Sequence, residues 1–307
     1  MSPLSALFLS SGDPMLDRRH AWARGLIGRG EANAAAELLS ETLLHAPGFI
    51  AGWFLLGEAQ EEIGDKEAAV KSFRRVLALD PDDRLGAGLR LARLGERNNA
   101  RAMSPAYVRT LFDQYAARFD RELVELLHYN APALLRAALD RTAGERRFAR
   151  VLDLGCGTGL MGEAIRDRAD ELIGVDLSKK MLEAAERKKI YDLLVANNLL
   201  GSLAAQTEPF DLILAADVFV YLPDLKPIFA AAAIKLSPTG YFAFTVETHD
   251  GDDTVLGNTL RFAHGEPHLR AAAQSAALEI LLLEKVSTRR EKNIPAEGLL
   301  AVLRRRR

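Results

Sequence analysis

The chain has 307 residues, 49% of them hydrophobic and 27% charged, with a formal net charge of −2; this is room for two ordinary domains, each with its own core. So even a charge balance offers no basic surface to gather phosphates, and gives no reason to invoke nucleic acid or a membrane as partner. The single cysteine, Cys156, excludes an intrachain disulfide and a multi-cysteine metal site; no metal is expected, and a reducing, cytoplasmic setting fits.

At the N-terminus, Leu4–Leu9 is apolar but short, with no Lys or Arg ahead of it, and reads as a packing segment rather than a secretory leader. No window approaches the roughly 18 to 20 uninterrupted apolar residues of a membrane-spanning helix. From Pro14 to about Gly95 the apolar spacing is helical, and small residues recur: Gly30, Ala35 and Pro47 return 34 residues on as Gly64, Ala69 and Pro81. The second copy places Trp53, Leu56 and Gly57 on one helix, Gly64-Asp65 at a turn, and Ala69, Phe73, Val76 and Pro81 on and after the next helix. It resembles the tetratricopeptide pattern, with Gln60 where an aromatic is usual. Gly57 and Ala69 let helices approach closely, while Trp53 and Phe73 fill the space between hairpins. The first copy is degenerate, with Trp22, Ala23 and Leu39 in the matching places, and a third begins near Leu85 but stops at Gly95. Residues 1–100 are therefore expected to form an all-α, tetratricopeptide-like helical-repeat domain, either a platform or a groove for a peptide or partner protein.

The polar run from Glu96 to Arg101, followed by Ser104-Pro105, reads as a linker, and helical spacing resumes at Tyr107. Beyond Arg150, short β-branched runs alternate with amphipathic helices, the sequence appearance of a parallel sheet covered on both faces. Seven strands are expected, near Arg150–Leu154, Glu171–Val175, Leu193–Ala196, Phe210–Ala215, Gly240–Val246, Leu278–Val286 and Gly298–Leu303. Residues 150–307 thus read as a Rossmann-like α/β domain with a seven-stranded, mostly parallel sheet. The terminal Arg304–Arg307 reads as a solvated tail.

The first of these strands runs into Gly155-Cys156-Gly157-Thr158-Gly159 and then a helix, while the second ends in Asp176. Glycines remove side chains where the backbone must turn sharply against a ligand, and the following helix presents free N–H groups. Asp176 is placed to accept from both hydroxyls of a ribose. The glycine spacing is GxGxG rather than the GxGxxG of a dinucleotide site, and Asp153 precedes the first glycine by two residues. A carboxylate there repels pyrophosphate but suits the ammonium and sulfonium end of S-adenosylmethionine. Cys156, between two glycines, is read as a small filler rather than a nucleophile.

On these residues the chain resembles the class I S-adenosylmethionine-dependent methyltransferases from about Ser104 onward. The repeats followed by Phe112-Asp113-Gln114-Tyr115-Ala116-Ala117-Arg118-Phe119-Asp120 resemble, more narrowly, a bacterial group of repeat-bearing methyltransferases of undefined substrate. The resemblance implies that residues 101–149 hold the linker and lid helices, with Tyr115 and Phe119 over the pocket. It implies cofactor contacts from Leu177 and Met181, and places Asp217 and Val218 beside the reactive end of the cofactor. Asn197-Asn198 stand where an Asp usually meets the adenine amine, and an Asn amide offers both an acceptor and a donor there.

A sulfonium is already an activated methyl donor, so alignment does most of the catalysis. For an oxygen nucleophile the candidate bases are Asp217, Tyr221, His249, His264 and His268; of these, Asp217, Tyr221 and His264 are taken forward. Arg261, His264 and Arg270 are candidates to hold an anionic acceptor. The sequence Ala215 to Tyr221 lacks the Pro-Pro-aromatic run of base-methylating enzymes, which favours a small-molecule acceptor. The alternatives are a protein methylated or recruited through the repeats, and a pocket that binds the cofactor without catalysis.

Overall fold

In the computed structural model of the protein, residues 8–99, 102–291 and 294–306 are described. Leu4 to Leu7 of the apolar N-terminal stretch, Ala100-Arg101 of the expected linker and Arg307 of the basic tail lie outside them. The chain divides into two compact units, Met1–Tyr107 and Val108–Arg307. Among the described residues no helix is long and apolar enough to cross a membrane.

The first unit consists of α1 (Pro14–Gly28), α2 (Ala32–His45), α3 (Ile50–Glu62), α4 (Lys66–Leu79) and the short α5 (Ala87–Arg93). Asp13 and Asp65 begin α1 and α4 by accepting from the backbone N–H groups of Met15 and Ala68, donors that a helix start leaves unsatisfied. Gly30 and Gly64, one repeat apart, take the left-handed conformation at the turns, with φ of 78° and 83°. Gly57 is needed because a Cβ there would come 2.7 Å from the ring of Phe73, which is fully buried. Gln60, at the position expected to be aromatic, accepts from Ser72 Oγ at 2.6 Å. Trp22 departs from its counterpart Trp53: it is 63% exposed, whereas Trp53 packs on the helical core and donates from Nε1 to the Pro47 carbonyl at 3.0 Å. The partial third copy is α5, capped by Asp83, which accepts from Ala87 N and Gly88 N at 2.7 and 2.9 Å. Burial pushes the Asp83 carboxyl up to about 6.

The second unit is built on a twisted sheet in the order β3-β2-β1-β4-β5-β11-β8. Its strands are β1 (Phe148–Leu154), β2 (Ala169–Asp176), β3 (Leu193–Ala196), β4 (Phe210–Ala215), β5 (Leu236–Glu247), β8 (Leu278–Val286) and β11 (Gly298–Arg305). The first five pair in parallel, and β11 runs antiparallel between β5 and β8. All seven expected strands are present. Four short strands join them: β6 (Thr254–Leu256) and β7 (Phe262–His264) beside β5, and the separate pair β9 (Arg290–Glu291) and β10 (Ile294–Pro295).

Alternate residues of the central strands feed two apolar layers. Leu152, Leu154, Ile213, Ala215, Phe242 and Phe244 pack with α11 (Lys226–Lys235) and α12 (Glu266–Ser275) on one face. Val151, Leu212, Leu214 and Ala243 pack with α7 (Ala131–Ala143) and α8 (Leu160–Ile165) on the other. The remaining helices are α6 (Pro105–Tyr115), α9 (Lys179–Lys188) and α10 (Leu199–Ala205), with a 3-10 turn at Ala116–Arg118 and a π turn at Arg121–Leu126. The basic terminus is not a free tail over its described length. Arg304 and Arg305 belong to β11, where Arg304 pairs with Glu279 at 2.7 Å and Arg305 donates to the Leu236 carbonyl, because the edge pairing with β8 continues two residues beyond the apolar run.

Candidate functional site

The turn between β1 and α8 is set by three glycines in the left-handed region, Gly155, Gly157 and Gly159, with φ of 68°, 54° and 94°. The Cys156 N–H donates to the Val175 carbonyl at 2.9 Å, fastening the turn to the end of β2. A Cβ on Gly155 would overlap Val218, so the glycine lets the chain after β4 close against the turn. Asp176 completes the cradle: Oδ2 accepts from Gly157 N at 3.0 Å and Oδ1 from Ser178 N at 2.8 Å. Those two bonds leave a second lone pair on each oxygen.

Asp153 is 1% exposed, and its Oδ2 accepts from Tyr191 Oη at 2.6 Å, while Oδ1 is buried without a hydrogen-bond partner among the described residues. Burial pushes the Asp153 carboxyl up to about 7, with the nearby Asp176 charge adding to the rise, and burial raises Asp176 as well. A buried carboxylate oxygen with no partner is expensive unless a cation or donor meets it. The residues present therefore fit a ligand that brings positive charge to Asp153 and hydroxyls to Asp176, and they fit an anionic pyrophosphate badly. Cys156 is buried and its thiol is pushed well above the usual range, in keeping with a filler rather than a nucleophile.

The segment from Phe112 to Asp120 reaches this turn. Asp113 accepts from Ser178 Oγ at 2.6 Å, and that hydroxyl also caps α9 by accepting from Met181 N at 3.1 Å. Asp120 accepts from Thr158 Oγ1 and pairs with Lys188 at 3.0 Å. The Phe119 ring lies 3.9 Å from where a Gly157 Cβ would stand, and Phe112 meets Tyr221 edge-on at 5.4 Å. Tyr115 packs on Phe119 at 5.6 Å, and burial pushes its phenol up to about 12.

Met181, in the first turn of α9, is fully buried and Leu177 is half-buried. Asn197 and Asn198 are engaged with their own backbone: Asn197 Oδ1 accepts from Asn198 N at 2.8 Å, and Asn198 Oδ1 caps α10 by accepting from Gly201 N at 2.7 Å. Their amide oxygens are therefore committed to turn and cap geometry.

Asp217, expected as a base, is held on all sides. It takes a left-handed φ of 54°, and its carboxylate accepts from Thr245 Oγ1 at 2.8 Å and Thr288 Oγ1 at 2.9 Å while pairing with Arg289 at 2.9 Å. Arg289, whose side chain is 4% exposed, continues to Glu247, which also pairs with Arg261 at 2.8 Å. His264 is fully buried: Nδ1 meets Thr254 Oγ1 at 3.1 Å, Nε2 meets the Phe219 carbonyl at 3.3 Å, and burial lowers its pKa to about 4. Both nitrogens are committed, which corrects its assignment as an accessible base or acceptor ligand. Arg270 pairs with Glu266 at 2.7 Å on the exposed face of α12. Of the expected anion clamp, Arg261 thus engages Glu247, His264 engages Thr254 and Phe219, and Arg270 engages Glu266. His249 is likewise fixed by the Asp253 carbonyl and Gly251 N, and His268 lies 3.9 Å from Asp224.

Four groups escaped the sequence reading. Tyr191 and Arg289 act over long sequence separations, and Glu247 ends a strand with no local signal. Tyr129 lies beside the stretch 288–290, since Arg290 N donates to the Leu127 carbonyl and Asn130 N to the Thr288 carbonyl. Its phenol is buried toward Asp217 and Asp153, which raises it well above its ordinary value.

Comparison with known proteins matches residues 152–244 to the family model of a methyltransferase domain and residues 26–94 to that of a tetratricopeptide repeat. A trans-aconitate 2-methyltransferase of Rhizobium etli is 39% identical over 124 residues, 40% of this chain and 47% of that protein. A ubiquinone biosynthesis O-methyltransferase of Idiomarina loihiensis is 30% identical over 115 residues, 35% of this chain and 46% of the other. The chain spans about half the length of these curated relatives. Among solved structures, magnesium protoporphyrin IX methyltransferase from Synechocystis PCC 6803 with bound S-adenosylhomocysteine superposes with a TM-score of 0.53 at 17% identity, covering 66% of this chain and 99% of that one. A Burkholderia thailandensis 1,6-didemethyltoxoflavin-N1-methyltransferase gives 0.51 at 21% identity, covering 68% and 97%. These two structures establish the shared fold.

Proposed function

We propose that this chain, whose residues 152–244 match a methyltransferase domain and residues 26–94 a tetratricopeptide repeat, binds S-adenosylmethionine and transfers its methyl group to a small-molecule acceptor. The observation that carries the reading is the buried, unpartnered Asp153 Oδ1 beside Asp176, at the rim of a turn of three left-handed glycines. Asp153 receives the ammonium of the cofactor, Asp176 its ribose hydroxyls, and Gly155, Cys156, Gly157, Thr158 and Gly159 give the backbone surface against which it lies. Leu177 and Met181 form the apolar side of the adenine site, with Asn197 and Asn198 shaping its edge. Tyr115, on α6, closes over the site with Phe119, excluding water. When bound, the cofactor supplies an activated methyl group on a cationic sulfur.

The chain's own part is alignment. Asp217 and Val218 flank the reactive end, and the ties from Asp217 to Thr245, Thr288 and Arg289 make it a fixed wall rather than a proton acceptor. Tyr221 lies at the same rim, in ring contact with Phe112. A small acceptor agrees with the relatives named above, a trans-aconitate 2-methyltransferase and a ubiquinone biosynthesis O-methyltransferase. The test is mass spectrometry of a metabolite extract incubated with the protein and methyl-labelled cofactor. A labelled small molecule is expected; label confined to polypeptide would transfer the reading to a protein acceptor met through the repeats.

A further inference from the structure

Tyr191 lies outside the glycine motif yet reaches its acid. It sits in the turn before β3, which is fixed by Asp192 N donating to the Leu172 carbonyl at 2.9 Å. Its ring occupies a notch made by two glycines: a Cβ on Gly162 would overlap the hydroxyl, and one on Gly174 would stand 2.9 Å from the ring. Any side chain at either position would move the phenol. From that notch the hydroxyl donates to Asp153 Oδ2 at 2.6 Å, leaving Oδ1 buried without a hydrogen-bond partner among the described residues. One oxygen is held and the other is left for a ligand.

Resting on the reading that Asp153 receives the ammonium of the cofactor, we propose that Tyr191 is a positioning residue: it fixes the carboxylate, favours its ionised form, and so sets the pH range over which the cofactor binds. The groups facing Asp153 are Asp176 from β2, the Cys156 thiol from the glycine turn, the Tyr129 phenol from the segment before α7, and Tyr191 itself. Burial raises the carboxyl to about 7 and Asp176 adds to the rise, while the Tyr191 hydroxyl opposes both. None of these groups is a cation. Below about pH 7 the ligand-free carboxyl therefore carries a proton, and a bound ammonium displaces it to solvent, so that binding releases up to one proton.

The test is calorimetry of S-adenosylhomocysteine, which keeps the ammonium group, with the full chain and with Tyr191→Phe, from pH 5.5 to 9 in two buffers of different ionisation enthalpy. The native affinity is expected to fall about tenfold per pH unit below the Asp153 midpoint, with proton release. Tyr191→Phe removes a hydrogen bond to a charged group; its midpoint moves up by about one unit, binding weakens about fivefold at pH 7 and about tenfold below pH 6, and the two proteins converge toward pH 9. That convergence is what a merely structural role would not produce. A constant loss of affinity at every pH, or native binding without proton release between pH 5.5 and 7, overturns the proposal. If Tyr191→Phe does not fold, Gly162→Ala, whose methyl displaces the same hydroxyl, is titrated in its place and the same pH dependence decides. Absence of native binding at every pH removes the cofactor reading itself.

Discussion

Asp153 and His264 are both buried ionisable groups, and burial moves them in opposite senses because it disfavours whichever form is charged. For Asp153 the folded value, about 7, lies above the ordinary carboxyl value of 3.8, so the folded state keeps a proton that the unfolded chain releases. Its ionisation destabilises the ligand-free protein progressively as pH rises from about 4 to about 7. Asp153→Asn is therefore expected to stabilise the ligand-free protein at pH 8 by on the order of a few kcal/mol, seen as a higher melting temperature, and to leave it unchanged near pH 4. The same variant weakens the cofactor ten- to hundredfold at pH 8, since a charge-assisted contact is worth about 1.5 to 3 kcal/mol. Equal melting temperatures at pH 8 would show that the carboxylate is not destabilised by its setting. For His264 the folded value is lowered to about 4 from 6.5, so its neutral packing stabilises the protein fully above pH 6.5 and is lost as pH falls toward 4. His264→Gln should flatten that part of the acid-unfolding profile. Residue type and position suggested a base at His264; only the packing of β6, β7 and the Phe219 turn reveals that the ring is enclosed.

The strand, turn and helix around residues 148–165 were legible because each has a local cause: a short, continuously buried run at the end of β1, glycine where φ is positive, and a free helix start. The ion pairs around the expected anion clamp were not legible, because pairs of long side chains are decided by neighbours distant in sequence, as Arg261 with Glu247 and Arg289 with Asp217 show. The three-residue strands β6 and β7 are too short to show a period. Asp113 on α6 and Asp120 after the 3-10 turn tie this segment to Ser178 and Thr158 at the rim of the site. Replacing both aspartates by Ala should raise the cofactor dissociation rate about tenfold with smaller effect on the association rate, as stopped-flow mixing would measure; unchanged rates would mean that the segment does not gate the site. In the repeats, Gly57→Ala drives a methyl into the Phe73 ring, and should cost about 1 to 3 kcal/mol in thermal denaturation.

At the scale of the whole molecule, the two units were separable in the sequence because a period of 34 residues and an alternation of strands and helices are different signals. The matches to two family models fall within those regions, at residues 26–94 and 152–244. The formal charge of −2 gives no strong long-range field, so cofactor attraction is local to the buried Asp153 and the half-buried Asp176. Buried charges are little screened, and raising salt from 0.05 to 0.5 M should change cofactor affinity by less than about threefold. The most direct test of the account is calorimetric titration of the full chain at pH 8 with S-adenosylmethionine and, separately, with a nicotinamide dinucleotide. Saturable heat is expected for the sulfonium nucleoside, with affinity ten- to hundredfold weaker for Asp153→Asn, and none for the dinucleotide; tight dinucleotide binding with no response to S-adenosylmethionine would contradict it.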